Sequence, residues 1–545
     1  MIYIDPQYNT GKDFVYKDNF NDNIKNYKEM MNESYKTNTD ASGRFHTNWL
    51  NMIYPRLKLA KNLLSEDGVI FISLNDKEIH NMRKICDEVF GSDNFIANFI
   101  WNTDGHTDNQ YDVKVNHEYI CLYCKQKLNS NLGFVVDPNT REESNLWKGF
   151  AENSITKNGQ ANPPSEVILP KGFPCKIEKG IIKSNIPEDN FFEEVQAQGY
   201  ITRQITDKYN TSYPIRFSDM VINDKKLENN VKVYTGWANL NKLKSFIDNG
   251  FNPIVDSDGS EISFYISPNG VIYYYKKRSK ARNILSVLRN MGTTEQMRSE
   301  LENNDVFFTY PKPINLIKYI MQIGLINNEE LVLDFFSGSS TTAHAVMQLN
   351  AEDRGNRKFI MVQLPEETEE KSEAYKAGYK NICEIGKERI RRAGKKIVEE
   401  NKDKEGIEDL DIGFKVFKLD TTNIKEWDDT IQDTEEIKQM AMALDNPIKE
   451  DRSQEDVIYE ILLKYGVDLT MPIEEIEIMG SKVYSVGFGY LMICLEKDIN
   501  LDLIEAIGEQ KPNRVVLYDN GLDNESKTNG ERILKELGVK DIRTI

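Results

Sequence analysis

Two short apolar runs that each lead into an aspartate constrain the fold of this chain most. Ile2-Tyr3-Ile4 precedes Asp5, and Leu331-Val332-Leu333 precedes Asp334. Runs of this length are typical of buried strands, and polar residues that follow a buried strand commonly lie at the exposed end of a sheet. The sequence therefore predicts two strands of one sheet, each with an acid at its carboxyl end.

Helix and strand patterns alternate around these runs. Apolar residues recur at helical spacing over 46–64, residues 68–74 are typical of a buried strand, and a helix is predicted over 76–90 with Asn75 and Glu78 as a capping pair. Further predicted elements are strands near 95–101 and 119–123, a helix over 341–349 and a strand over 359–362. This alternation favours an α/β fold.

The pattern changes in three places. Residues 9–45 lack periodicity and suggest a long loop or lid. Residues 131–300 are rich in turn dipeptides, and Pro268-Asn269-Gly270 separates two apparent strands as in a hairpin. A charged stretch, 399–409, precedes an acidic segment with short α/β elements. We therefore predict a sheet domain split into 1–130 and 301–398, an inserted domain at 131–300 and a C-terminal domain at 410–545.

Composition limits the classes of protein that remain. The chain has 545 residues, of which 39% are hydrophobic and 29% charged, with no apolar run long enough to span a bilayer and no secretory signal. We expect a cytoplasmic protein. Its six cysteines form no disulfide framework. Cys121 and Cys124 lack a second ligand pair at zinc spacing, so we expect two apolar side chains on a strand and no metal site.

The segment LVLDFFSGSSTTAHAV places Gly338 among small residues between a strand and a helix. Such a turn lets a nucleotide-like cofactor approach the helix N-terminus. The segment contains neither the G-x-G-x-x-G pattern of a dinucleotide site nor the lysine of a P-loop. By itself it is also compatible with a tight turn that packs a helix on a sheet.

Together with the opening residues, this segment resembles a known pair of motifs. Asp5-Pro6-Gln7-Tyr8 resembles the catalytic DPPY motif, and Phe336-Ser337-Gly338-Ser339-Ser340 the cofactor motif FxGxG, of amino-methylating DNA methyltransferases that use S-adenosylmethionine. Gln7 replaces the second proline and Ser340 the last glycine. The catalytic motif comes first, as in the β group.

More of the chain, from residue 1 to about residue 425, resembles the modification subunit of Type III restriction-modification systems. The matching stretches are FISLNDKEIHN, DEVFGSDNFIANFIW, His117-Glu118-Tyr119, Tyr310-Pro311-Lys312-Pro313, GNRKFIMVQLPE and KERIRRAGKKI. The resemblance implies a Rossmann-like S-adenosylmethionine-dependent methyltransferase sheet, interrupted by a target-recognition domain at 131–300 and followed by a small C-terminal α/β domain. It also implies a homodimer and a helicase-nuclease partner.

The resemblance implies adenine-N6 methylation of double-stranded DNA. Asp5 and the Pro6 carbonyl would accept hydrogen bonds from the amine of a flipped adenine, and Tyr8 would stack on the base. These acceptors favour a pyramidal nitrogen whose lone pair can attack the sulfonium methyl. Implied cofactor-binding residues are Asp334, Phe336, Gly338, Lys312, Pro313 and Gln363.

Other chemistries remain open at this point. An amino-cytosine methyltransferase would use a similar site, although an initial aspartate favours adenine. A cytosine carbon-5 enzyme needs a Pro-Cys nucleophile, and Pro174-Cys175 lies instead in the middle domain. A catalytically impaired DNA-recognition subunit is a further alternative.

DNA binding has to overcome a formal net charge of −18. A basic cluster that follows the aromatic strand Tyr273-Tyr274-Tyr275 could neutralise phosphates; it comprises Lys276, Lys277, Arg278, Lys280 and Arg282. A second cluster could equally be a solvated helix face; it comprises Lys387, Arg389, Arg391, Arg392, Lys395 and Lys396.

Relatives usually carry a segment before the catalytic strand. On that comparison the chain is expected to be truncated or to have a misassigned start, with weak or absent methylation. We expect Gln7→Pro to raise activity, since proline would restrict the unfolded chain by roughly 0.4 to 1 kcal/mol. Restoring an upstream segment should raise it more.

Overall fold

The computed structural model describes residues 1–10, 14–16, 35–37, 45–103, 112–113, 115–129, 132–188, 190–256, 259–277, 283–425 and 447–545. One compact unit takes in the described residues from Met1 to Ile412, and a second takes in those from Gly413 to Ile545. Over these ranges no helix combines the length and apolar character needed to cross a membrane.

The strands of the first unit are β1 (Ile2–Ile4), β2 (Phe14–Tyr16), β3 (Tyr35–Thr37), β4 (Val69–Leu74), β5 (Phe95–Asn102), β6 (His117–Cys124), β7 (Phe150–Ser154), β8 (Pro164–Leu169), β9 (Gly180–Ile182), β10 (Ile215–Arg216), β11 (Met220–Asn223), β12 (Lys226–Leu227), β13 (Val231–Gly236), β14 (Ile254–Val255), β15 (Glu261–Ile266), β16 (Ile272–Lys277), β17 (Val287–Leu288), β18 (Leu331–Asp334) and β19 (Lys358–Met361). Its helices are α1 (Phe45–Leu63), α2 (Ile79–Phe90), α3 (Asn190–Gln198), α4 (Arg203–Lys208), α5 (Leu240–Asp248), α6 (Thr294–Glu302), α7 (Ile314–Gly324), α8 (Thr341–Asp353), α9 (Glu373–Lys376) and α10 (Ile382–Glu400).

A mixed sheet forms the centre of this unit, and its seven described strands have the order β17-β5-β6-β4-β1-β18-β19. β6 is antiparallel to β4 and β5, while the other neighbouring pairs are parallel. The carboxyl ends of β4, β1, β18 and β19 therefore meet the amino end of β6 at one edge. Asp5 follows β1 and Asp334 ends β18 at this edge, so the prediction of two acid-tipped strands in one sheet is confirmed.

Every residue of β4 is buried because helices cover both faces of the sheet. Alternate side chains of a strand point to opposite faces. Ile70 and Ile72 share a core with residues of α1 and α2, whereas Val69 and Phe71 share another with residues of α7 and α8. A continuous apolar run thus corresponds to a strand between two helical layers, which is the α/β arrangement predicted from the sequence.

The predicted capping pair before α2 is wrong. The Glu78 side chain makes no capping hydrogen bond to the helix that begins at Ile79, and Asn75 accepts one from the Lys77 backbone. The Glu78 carboxylate is buried and binds other side chains described below. A buried carboxylate needs hydrogen-bond partners, and Glu78 finds them in the Asn9 and Asn81 side chains instead of the N–H groups of the first helical turn.

The middle of the chain forms small antiparallel sheets with the orders β10-β13-β8, β12-β11-β9 and β14-β15-β16-β7. β15 and β16 pair antiparallel across Pro268-Asn269-Gly270, which confirms the predicted hairpin. A separate core fills this region, with Phe173, Phe246 and Phe264 among its buried side chains. β17 pairs with β5, so the chain rejoins the central sheet before residue 300.

Only parts of the predicted loop at 9–45 can be compared with the structure. β2 and β3 pair antiparallel within it, and α1 begins at Phe45. Residues 11–13, 17–34 and 38–44 lie outside the described residues.

The second unit has its own sheet and core. Its described elements are α11 (Gln454–Tyr465), β20 (Ile473–Ile478), β21 (Ser481–Val486), β22 (Leu491–Cys494), α12 (Leu501–Glu509), β23 (Arg514–Leu517), α13 (Asn524–Glu536) and β24 (Asp541–Thr544). These strands follow one another in the sheet, antiparallel from β20 to β22 and parallel from β22 to β24. The unit therefore contains the short α/β elements expected of this segment.

Candidate active site

Four side chains from distant parts of the sequence meet at the sheet edge where β1 ends and β6 begins. Asp5 and Tyr8 follow β1, Glu118 lies at the start of β6, and Lys312 precedes α7. The Tyr8 hydroxyl lies 2.7 Å from Glu118 Oε2 and 3.0 Å from Asp5 Oδ1. Lys312 Nζ donates to the Tyr8 hydroxyl at 2.7 Å and lies 3.0 Å from Asp5 Oδ2 and 3.2 Å from Glu118 Oε2. We call these four residues the acid–lysine cluster.

Burial and charge act against each other in this cluster. Burial raises the pKa of Asp5, the Lys312 ammonium opposes that rise, and the Glu118 carboxylate adds to it. Burial also raises the pKa of Tyr8 well above its usual value. For Lys312, burial alone would lower the pKa, but Asp5 and Glu118 raise it, so the side chain remains a cation. One ammonium therefore stabilises two carboxylates in a site with limited access to solvent.

The loop that carries Asp5 and Tyr8 is fixed from behind. Trp49 Nε1 of α1 donates to the Gln7 carbonyl at 2.8 Å. Asn9 is buried, has a φ of +54°, and donates through Nδ2 to Glu78 Oε1 at 2.5 Å. These two contacts hold the backbone on both sides of Tyr8.

Glu78 joins this loop to two helices. Its carboxylate also accepts from Asn81 Nδ2 of α2 at 2.8 Å and lies 2.6 Å from His46 Nδ1 of α1. Because the carboxylate is fully buried, these partners replace the water that it loses on folding. Glu78 thus holds the loop after β1 against the helical layer.

The predicted cofactor turn lies at the neighbouring strand end. Asp334 is buried, and its two carboxylate oxygens accept from the Phe336 backbone at 3.1 Å and from the Thr342 hydroxyl at 2.6 Å. Burial raises the pKa of Asp334 to about 7, although these two hydrogen bonds oppose the rise. The Asp5 charge contributes to that rise, so the two strand-end acids lie within electrostatic reach of each other.

Gly338 adopts a φ of +49°, in the left-handed region that favours glycine. Its backbone N–H donates to Gln363 Oε1 at 2.8 Å, which ties the turn to the residue following β19 and Val362. A Cβ on Gly338 would lie 3.4 Å from the Phe308 ring. The left-handed backbone, more than a lack of space, therefore favours glycine in this turn.

Arg389 of α10 supports this turn from within the protein. It is 1% exposed, and its Nη1 donates to the Ser339 hydroxyl at 2.7 Å and to the Thr341 hydroxyl at 2.6 Å. Burial lowers its pKa to about 9. Gly386 lets α10 approach closely, since a Cβ there would lie 2.6 Å from Ser340 Oγ. Arg389 therefore belongs to the support of the turn and not to a solvated basic face.

The remaining residues singled out in the sequence are placed as follows. Phe336 is 9% exposed, and Pro6 and Pro313 are buried. Lys276 of β16 forms an ion pair with Asp256 at 2.8 Å, and the neighbouring Lys277 is exposed. Arg278, Lys280 and Arg282 lie outside the described residues.

Five of the six cysteines are buried in apolar cores, and Cys383 is partly buried. Cys121 and Cys124 are buried on β6. Cys175 is buried in the core of the middle region, where burial raises its pKa to about 12. A thiol with such a pKa is a poor nucleophile, which argues against the carbon-5 chemistry.

Three functional candidates were not identified as such from the sequence: Glu78, Glu118 and Arg389. The sequence places Glu118 only within a matching stretch and predicts Glu78 to be part of a helix cap. The local signal for Glu118 is its position at the start of an apolar run, but it faces Asp5 only because β6 is antiparallel. That orientation is a property of the assembled sheet.

The comparison with known proteins agrees with this geometry. The sequence profile of the DNA methylase family matches residues 1–393, and the chain therefore belongs to that family.

Similar proteins of known name indicate which group of DNA methylases the chain belongs to. The Mod subunit of the Type III restriction-modification enzyme EcoPI, from Escherichia phage P1, is 31% identical over 585 residues that cover 99% of this chain and 80% of that subunit. The EcoP15I Mod subunit of Escherichia coli is 27% identical over 574 residues, with coverages of 99% and 80%. Within the DNA methylases the chain is thus a modification (Mod) subunit of the Type III kind, and the resemblance drawn from its motifs is confirmed.

Among solved structures, the M1.HpyAVI–SAM complex is 10% identical and covers 66% of this chain and 80% of that chain. The TM-score is 0.23, which is too low to bear on the fold.

Proposed function

We propose that this DNA methylase moves a methyl group from S-adenosylmethionine to the exocyclic amine of adenine in double-stranded DNA. The observation that carries the proposal is the position of the Asp5 carboxylate, which lies at the same sheet edge as the Asp334–Gly338 turn. An acceptor for an amine and a turn suited to a cofactor are then adjacent.

The amine is activated by acceptors and not by a strong base. Asp5 and the Pro6 carbonyl accept hydrogen bonds from the two N–H groups, which favours a pyramidal nitrogen with an available lone pair. The Asp5 carboxylate also stabilises the positive charge that develops on nitrogen during transfer. Tyr8 provides a ring on which the base stacks.

The residues around the turn fit S-adenosylmethionine. Asp334, Phe336, Gly338 and Gln363 would hold it, because the turn combines a backbone without a Cβ with the N-terminus of α8. When bound, it supplies an electrophilic methyl group on a sulfonium. Lys312 lies beside Asp5, and Pro313 directly precedes α7. We assign Lys312 to the charge balance of the catalytic acid.

DNA has to deliver an unpaired base to this edge. We propose that the adenine is flipped out of the duplex, since its amine is otherwise paired. Lys277, with Lys276, Arg278, Lys280 and Arg282 from the same stretch, contacts phosphates. We assign target recognition to 131–300, catalysis to 1–130 and 301–398, and a separate C-terminal domain to 410–545.

Membership of the Mod subunits suggests partners for this chain. We propose a homodimer that associates with a restriction subunit of helicase-nuclease type and acts in the cytoplasm, where it meets DNA and methyl donor together. The names of the relatives, which are subunits of restriction-modification enzymes, support association with a further subunit of such an enzyme.

Asp5→Ala tests the proposal. Transfer of labelled methyl from S-adenosylmethionine to DNA should be abolished, while cofactor affinity measured by calorimetry stays within about twofold. Asp519→Ala, in the second unit, controls for the loss of a surface carboxylate. Full transfer by Asp5→Ala would remove the carboxylate from the mechanism.

A further inference from the structure

Glu118 is a second carboxylate in the acid–lysine cluster, and amine binding by Asp5 and Pro6 does not require it. Its side chain is 22% exposed, close to the 23% of Asp5. It contacts the Tyr8 hydroxyl at 2.7 Å, the shortest link between this hydroxyl and a carboxylate. The hydroxyl therefore lies between two acids and bridges them.

The methylated amine has to lose a proton. After the attack the nitrogen is positively charged, so its N–H groups become acidic. In the proposed function one of these N–H groups contacts Asp5. A proton left on Asp5 would block the next amine from binding in the same way. The structure offers a path onward, since the Tyr8 hydroxyl lies within hydrogen-bond distance of both acids.

We propose that Glu118 receives this proton from Asp5 through the Tyr8 hydroxyl, so that Asp5 is ionised again before the next turnover. This inference rests on the proposed function, because it assumes amine methylation at Asp5.

The step balances as follows. The N–C bond forms as the C–S bond of the sulfonium breaks, and its electron pair stays on sulfur. The nitrogen gives its proton to Asp5. Asp5 then gives a proton to the Tyr8 oxygen while the Tyr8 hydroxyl gives its own proton to Glu118, and Glu118 finally loses the proton to solvent.

The charges that face Glu118 are consistent with a transient proton. Lys312, from the segment before α7, lies 3.2 Å from Glu118 and 3.0 Å from Asp5. Asp5 and Tyr8 face it from the loop after β1, and Tyr3 of β1 also feels the Glu118 charge. Two carboxylates around one ammonium leave one negative charge in excess, and such a pair can take up a single proton without losing Lys312.

Multiple-turnover methyl transfer measured against pH tests the relay, because the proton is passed on only after the methyl group has been transferred. Glu118→Gln should lower the plateau rate by about tenfold or more, within the usual range for proton transfer by a positioned side chain. Its acid limb should move to lower pH, because the Glu118 charge no longer raises the pKa of Asp5. Glu118→Asp should recover part of the rate.

Tyr8→Phe separates the relay from a purely electrostatic or structural effect. It keeps the ring and both carboxylates but removes the bridging hydroxyl. Its plateau should fall about as far as that of Glu118→Gln, and the double variant should be no slower than either single one, since both break the same path. Cofactor affinity should remain unchanged in all three.

A wild-type plateau in Glu118→Gln, or rate losses that multiply in the double variant, would overturn the relay. Asp5→Ala distinguishes this failure from failure of the proposed function. If Asp5→Ala is inactive while Glu118→Gln transfers at the wild-type rate, only the relay is wrong. If Asp5→Ala remains fully active, the proposed function fails and the relay with it.

Discussion

Lys312 Nζ donates to the Tyr8 hydroxyl at 2.7 Å although 304 positions separate the two residues. The contact forms because β1 pairs with both β4 and β18, which brings the opening of the chain into the centre of a sheet completed much later in the sequence. The catalytic loop and the segment before α7 then share one edge.

Lys312→Met should impair methyl transfer without weakening cofactor binding. The ammonium lowers the pKa of Asp5, so its removal should move the acid limb of the pH–rate profile upward. The rate should therefore fall on that limb and recover at higher pH. Lys318→Met on α7 is the matched control, since Lys318 pairs with Glu352 instead.

A weakened affinity for S-adenosylmethionine, with the acid limb of the profile in its wild-type place, would assign Lys312 to the cofactor and not to Asp5.

Gly338→Ala should weaken S-adenosylmethionine binding. The new Cβ contacts the Phe308 ring at 3.4 Å and sits on a left-handed backbone that an L side chain strains, so the turn beside the proposed cofactor is disturbed. Gly199→Ala is the control, because Gly199 has a φ of +84° and no neighbour within 4 Å of the added Cβ. Both variants should lose roughly 1–2 kcal/mol of stability from backbone strain, but only the first should lose cofactor affinity in calorimetry. Equal affinities would contradict the placement.

Asp334 should make the stability of the protein depend on pH. Burial raises its pKa from 3.8 to about 7. Because the folded state binds this proton more tightly than the unfolded chain, its contribution is full below pH 3.8 and is lost as the pH rises through about 7. Relative to Asp334→Asn, the wild type should lose up to roughly 4 kcal/mol over this range.

Thermal denaturation at a series of pH values, with bound cofactor absent, measures this difference. Asp248→Asn, at an exposed helix position, should give a curve parallel to the wild type. If the Asp334→Asn curve is also parallel, the carboxylate is not held protonated by burial.

The outline of the fold and half of the site could be predicted because they depend on local sequence. Asp5 and Asp334 directly follow buried runs, so their place at strand ends is a local property. Glu118 and Arg389 reach the site through the antiparallel direction of β6 and the packing of α10, which no short stretch encodes. For the same reason the sequence places Arg389 in a basic cluster that either binds phosphate or is solvated, whereas the side chain is buried.

Lys277→Ala should weaken binding to all DNA sequences alike. Lys277 is exposed on β16, while its neighbour Lys276 is held by Asp256. Loss of one phosphate contact should reduce the slope of log affinity against log salt by about 1. Lys497→Ala, exposed in the second unit, should leave the slope unchanged. An unaltered slope for Lys277→Ala would remove it from the DNA contact.

Identification of the methylated base tests the central claim most directly. Unmethylated DNA is incubated with the protein and labelled S-adenosylmethionine, digested to nucleosides and analysed by mass spectrometry, with Asp5→Ala as the matched control. The account predicts label in N6-methyldeoxyadenosine with the wild type and in no nucleoside with Asp5→Ala. Label in a methylated cytosine, or equal labelling of adenine by both proteins, would contradict it.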